Sequence, residues 1–151
     1  MNPHIAKLDE WTDLATKQML QNVIERKQKW DRFKRVHLII LWSSVFFAFC
    51  FIYYFYNKVI GPYSYSFEAV FSAVFSRESH LYAFLFLFGM FGAVKVLYDK
   101  KEKAEKEYHT LRSEIIDRSK DLWKEESWKK RHQVYELMKA EWDINLYHVS
   151  K

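Results

Sequence analysis

The chain has 151 residues and a formal charge of +5, and it combines 50% hydrophobic with 28% charged residues. Such an average arises when apolar and charged segments are segregated along one chain, so the basic balance need not mean nucleic acid. The single cysteine, Cys50, excludes an intramolecular disulfide and a redox or zinc framework built on cysteines.

In chain order, the first expected element is one helix starting at about Asp9, whose carboxylate would cap the first turn, and running to about Tyr56. No Gly or Pro interrupts it between Pro3 and Gly61. Its first part, in region 1–35, places Leu8, Ala15, Met19, Val23, Trp30 and Phe33 at helical spacing, a core stripe for a partner helix. Basic residues then crowd together, with Arg32, Lys34 and Arg35 at the expected membrane surface.

Residues 36–56 are 21 positions without Asp, Glu, Lys or Arg. As a helix they reach about 30 Å, the thickness of a bilayer core. The run begins after many charges, which argues against a cleavable signal. His37 at its start reads as an interfacial anchor, and Cys50 as a small apolar packing residue.

Residues 57–80 open on Gly61-Pro62, a turn signal, and then set Phe67, Val70, Phe71, Val74 and Phe75 at the spacing of a short amphipathic helix. With many tyrosines around it, this segment is expected to lie along the outer interface.

Residues 81–98 form the second predicted span, with Lys95 as its one charge, near enough to the end to snorkel. Within the spans, Ser44 with Ala48 and Gly89 with Ala93 are pairs of small residues one turn apart. They suit close approach of two helices, within the hairpin or between two copies.

Beyond the span, Lys100 and Lys101 extend the basic surface, and Ala104, Tyr108, Leu111, Ile115 and Leu122 form a seam interrupted by Arg118. The phase slips at 124–127, where Ser127 is an expected cap, and a new stripe of Trp128, Tyr135, Met138 and Trp142 begins. That stripe is covered either by folding back to make a three-helix bundle or by a partner, whether a second copy or a cytosolic protein.

Orientation follows from Lys and Arg: eight precede residue 36, two lie in 57–80 and fourteen follow from Lys95 onward. This asymmetry places both termini in the cytoplasm. The fold expected is therefore all-α: a two-span transmembrane hairpin in the plasma membrane, with cytosolic extensions in 1–35 and 99–151 forming a coiled coil or a three-helix bundle. Its first partner is a bilayer with an anionic inner leaflet, and nucleic acid is not needed to account for the charge.

No Gly-rich phosphate loop, His-Glu-x-x-His, Cys-x-x-Cys or nucleophile elbow occurs in the sequence. No catalytic residue, cofactor site or metal site is assigned, and a non-enzyme is expected. Glu105 and His109, one turn apart, read as a surface pair rather than as metal ligands.

The Trp11-Thr12-Asp13 opening, followed by a basic helix ahead of an aromatic span, resembles the YpbF-like family of small two-span membrane proteins of Bacillus-type bacteria. The resemblance implies a bacterial plasma membrane and carries over no activity and no catalytic residue. Two function classes follow. One is a membrane-anchored scaffold or interaction protein with a cytosolic helical platform. The other is an oligomeric pore former, holin-like or like a mechanosensitive channel, against which the bulky spans argue.

Overall fold

The computed structural model describes residues 2–6, 8 and 12–147; it is all-α, with no strand among the described residues. The elements are α1 (Pro3–Ala6), α2 (Leu14–Phe55), a π-helical turn (Tyr56–Ile60), α3 (Gly61–Tyr63), α4 (Phe67–Phe75), α5 (Glu78–Asp117), α6 (Ser119–Leu122) and α7 (Glu125–Trp142). They divide into two compact units, a terminal one of Met1–Phe33 with Lys100–Lys151 and a middle one of Lys34–Asp99.

The helix start expected at Asp9 falls, like Trp11, outside the described residues; α2 itself begins at Leu14. Its cap is Asp13, whose Oδ1 accepts the Thr16 N–H at 2.9 Å, satisfying an amide that has no partner within the helix. α2 is 42 residues long.

The core of the terminal unit joins Ile5, Leu20, Val23 and Ile24 to Tyr108 and Ile115, then to Trp123, Val134, Tyr135 and Met138. Each full burial of such a side chain stabilises by about 1.5–3 kcal/mol relative to exposure. The seam on α5 lies where periodicity places it: Ala104, Tyr108 and Ile115 are buried, while Leu111 and Leu122 are partly buried against the core.

Of the expected N-terminal stripe, Val23 is buried, Leu8, Met19 and Trp30 pack partly buried against the core, and Phe33 is half-buried; Ala15 is exposed. The buried line on α2 also takes in Thr16, Leu20 and Ile24, and a polar Thr at its head is missed by a reading based on apolar residues.

α5 ends at Asp117, and Arg118 is the non-helical cap of α6, in keeping with an interruption at that residue. The break before α7 lies at extended Trp123 and Lys124, the near edge of the expected 124–127. Ser127 is not the cap; its N–H donates to the Lys124 carbonyl at 3.0 Å, within the first turn. At the other end of α7, Asp143 takes a left-handed conformation (φ 55°), and its N–H and that of Ile144 satisfy the last carbonyls. Ile144 and Leu146 then return to the core.

In the middle unit, Gly61-Pro62 does not make the expected turn. Pro62 has no N–H to give, and its ring would press on the carbonyl four residues back, so the chain widens into the π-helical turn and continues helical through Tyr63. The Gly61 N–H reaches the Tyr56 carbonyl, and a Cβ at Gly61 would stand 3.2 Å from that oxygen. The turn comes at Ser64 and Tyr65, and Ser66, in extended backbone, accepts the Ala69 N–H on its Oγ at 3.0 Å and starts α4.

Candidate functional site

The middle unit is built inside out. Every exposed large hydrophobic side chain among the described residues lies in this unit, except Leu14 and Tyr147; of the buried hydrophobic core it holds only Val59. Two of its helices are long and apolar enough to cross a membrane, and their most apolar windows are 6% and 0% buried. A core helix of a soluble domain would be mostly buried. Cys50, expected to pack, is exposed here as well.

Where the helices of this unit meet, aromatic rings interlock: Phe51 with Phe84 at 4.9 Å, Phe55 with Phe84 at 5.7 Å, and Phe47 with Phe86 at 5.8 Å. Ser44 is buried, its Oγ donating to the Ile40 carbonyl at 2.7 Å, and Ala48 is half-buried. Gly89 and Ala93 do not join them. Both are exposed, and a Cβ at Gly89 would meet nothing within 4 Å. The half-buried line on this part of α5 is Ala83, Leu87, Met90, Val94 and Leu97, a different line from the one that carries Gly89 and Ala93.

At one end of the unit, the π-helical turn, α3 and α4 pack on one another. Here His80, only 4% exposed, is held at both ring nitrogens. Its Nδ1 lies 3.1 Å from the Val74 carbonyl, which can only accept, so Nδ1 carries the proton and Nε2 receives the Tyr54 hydroxyl at 3.4 Å. Beside it opens a polar pocket of about 90 Å³ lined by Tyr54, Lys58, Tyr63, Ser76, Arg77 and His80. A wholly apolar groove of about 370 Å³, lined by Phe51, Ile52, Phe55, Phe84 and Leu87 among others, lies against the Phe55 ring, itself 6.0 Å from the His80 ring.

Of the expected basic surface, Arg32, Lys34, Arg35, Lys95 and Lys100 are exposed. Lys95 pairs with Asp99 at 2.8 Å, and Lys101 with Glu102 at 3.0 Å. His37 lies beside Tyr98, rings 5.8 Å apart.

The terminal unit carries the stripe expected either to fold back or to meet a partner, and it turns that stripe inward. Tyr135 and Met138 are buried, and Trp128 and Trp142 are packed partly buried against the same core. The unit's own helices supply the cover that the sequence reading left open between fold-back and partner, so these residues are not an open interface. Arg131 lies over the Trp128 ring, 3.1 Å from its centroid. Trp30 stacks on Tyr108 at 5.3 Å, and the Lys27 ammonium sits 4.6 Å from the Trp30 ring.

Glu107 receives Arg26 at 2.5 Å and Lys29 at 3.4 Å. Desolvation pushes its carboxyl up, but the hydrogen bond from Lys29 and the charges of Lys29, Arg26 and Lys103 outweigh it and hold the group below its ordinary value. Burial pushes the Tyr108 and Tyr135 hydroxyls above theirs.

Arg112, which periodicity could not single out, is buried, and its Nε donates to the Asn145 carbonyl at 2.5 Å, pinning the segment after α7. His109 and Glu105 stand 4.0 Å apart. Among the described residues no group of three or more His, Cys, Asp or Glu side chains could hold a metal ion.

Residues 19–149 match the family described as protein of unknown function DUF2663. The chain is also 33% identical over 146 residues to the uncharacterized protein YpbF of Bacillus subtilis (strain 168), covering 96% of each chain. No solved structure matches. By both matches the chain belongs to the DUF2663 family, the YpbF-like family of bacterial proteins.

Proposed function

We propose that this protein is a non-enzymatic membrane anchor and scaffold: a two-span helical hairpin in the plasma membrane that carries a helical module on the cytoplasmic side, where both termini lie. The observation that carries this reading is the segregation of exposed large hydrophobics into 34–99 and of buried ones into the terminal unit. Water stabilises the second arrangement and penalises the first; a bilayer removes the penalty. The distribution of Lys and Arg, eight, two and fourteen, supports the orientation.

The scaffold half of the reading rests on how the terminal unit uses its polar groups. Arg26 and Lys29 converge on Glu107, Lys27 pairs with Asp31, and Arg112 holds a backbone carbonyl. These are contacts that hold a shape. With the aromatic stripe turned inward, the partner surface moves to the charged outer face, where Asn22, Glu25, Arg26 and Lys29 line a polar cleft of about 340 Å³.

The test is topology in living cells. Reporter fusions at residues 1 and 151 are expected to read cytoplasmic, and a cysteine at Ser64, with Cys50 replaced, to be labelled from outside. External labelling at either terminus would overturn the orientation. A full chain that fractionates as soluble protein would overturn the anchor itself.

A further inference from the structure

We propose that the polar pocket of the middle unit binds one phosphate group, and that its natural source is the headgroup of an anionic phospholipid. The segment 57–80 contains two Lys or Arg residues, Lys58 and Arg77, nineteen positions apart. The fold brings both to the same pocket, because Lys58 sits in the π-helical turn and Arg77 immediately precedes α5. A segment expected to be poor in basic residues thus concentrates those it has at one point. The two carboxylates of the segment, Glu68 and Glu78, are not in the pocket lining.

The chemistry suits a tetrahedral oxyanion. An ammonium, a guanidinium fork and the Tyr63 hydroxyl supply donors, while Tyr54 is committed to His80 and the Ser76 hydroxyl to the Ala73 carbonyl. About 90 Å³ admits one phosphate and no nucleoside. The buried His80, tied to α4 through Val74 and to α2 through Tyr54, holds the walls in place.

The lipid source is favoured by the neighbouring groove. Phe55 lines it and also touches the His80 ring, so a phosphate in the pocket and an acyl chain along Phe51, Phe55 and Phe84 are separated by little more than one ring layer. The tyrosines at 53, 54, 56, 63 and 65 are where interfacial aromatics belong beside a headgroup. The lipid source rests on the two-span reading above; the phosphate site does not.

The experiment uses the full chain in lauryl maltoside, with native mass spectrometry of retained phosphatidylglycerol against diacylglycerol of the same chains, and thermal shift with inorganic phosphate. Phosphatidylglycerol is expected to be retained about tenfold better than diacylglycerol, and Lys58→Gln with Arg77→Gln to abolish that preference. Lys129→Gln with Lys130→Gln, an exposed basic pair on α7 of the terminal unit, should leave it within about twofold. If the double pocket variant loses its helical circular dichroism, each single variant is read instead, with an expected loss of about threefold or more.

Stabilisation by inorganic phosphate that requires Lys58 and Arg77, without preferential lipid retention, would keep the phosphate site and overturn the lipid source. Unchanged phosphatidylglycerol preference in the pocket variants, or no response to either probe, would overturn the proposal. Neither result depends on which side of the membrane the termini occupy.

Discussion

Trp123 and Phe88 are large aromatic residues of one chain, yet Trp123 is fully buried and Phe88 is 80% exposed. The same contrast separates Tyr108 from Phe49 and Met138 from Trp42, and in each case the buried residue belongs to the terminal unit and the exposed one to the middle unit. Helical propensity does not distinguish the two sets, because both units are built of helices. On the proposed two-span reading, what differs is the medium each surface must satisfy. In the terminal unit an apolar side chain gains by leaving water, so apolar residues turn to one side and charges such as Arg26, Lys29 and Glu107 stay outside. In the middle unit the outward face is the apolar one, and the polar groups that remain are satisfied inside: Ser44 bonds the Ile40 carbonyl, and His80 bonds at both nitrogens.

The comparison can be broken most severely at its two extremes. Trp123→Ala should cost about 3–5 kcal/mol and unfold the terminal unit, whereas Phe88→Ala in detergent should cost about 1 kcal/mol or less. Hydrogen exchange resolved along the chain reads both; equal losses at the two sites would erase the distinction between the units. Next in size, Phe88→Arg should lower membrane insertion by about 2.5–3.5 kcal/mol in a reporter assay. Leu14→Arg, on the 72% exposed surface of the terminal unit, should change stability by about 0.5 kcal/mol or less. If Phe88→Arg inserts as well as the parent, the middle unit does not face lipid.

Smaller effects sharpen the picture. Asp13→Ala removes the carboxylate that caps α2 and should cost about 1 kcal/mol of terminal-unit stability, with Asp13→Asn retaining most of it. The smallest effect concerns acid. The folded Glu107 carboxyl titrates below its unfolded value, so its stabilisation is present above the unfolded pKa, about 4.5, and is lost as pH falls through the lower folded value. Melting temperature between about pH 5 and 3 should therefore fall less steeply in Glu107→Gln than in the parent. A steeper fall in the variant would contradict the sign.

Much of this organisation was legible in the residues. The line Ala104, Tyr108, Ile115 follows helical periodicity without a polar intruder, and α4 follows from Phe67, Phe71 and Phe75. The failures have particular causes. On α2 the apolar reading missed Thr16, which is buried at the head of the core line but looks polar in sequence, and took in Ala15, which is exposed. Gly61-Pro62 reads as a turn unless the chain can absorb the proline by widening into a π-helical turn. Gly89 and Ala93 have the spacing of a close helix contact, but spacing is silent about which face meets the neighbour, and Met90 lies on that face instead. Of the polar pocket, Lys58 and Arg77 were visible as the sparse charges of 57–80, yet their convergence depends on how the π-helical turn, α3 and α4 pack. Arg112 reaches the Asn145 carbonyl and Ile144 enters the core in an irregular segment that has no period to read.

The most direct test of the two-medium account is collision accessibility of nitroxide spin labels on the full chain in liposomes, with Cys50 replaced. Labels at Phe49 and Phe88 are predicted to be relaxed by oxygen and shielded from a water-soluble nickel chelate, while labels at Gln28 and Lys139 show the reverse. Strong nickel access at both Phe49 and Phe88 would contradict the account, because it would place the exposed apolar surface of the middle unit in water.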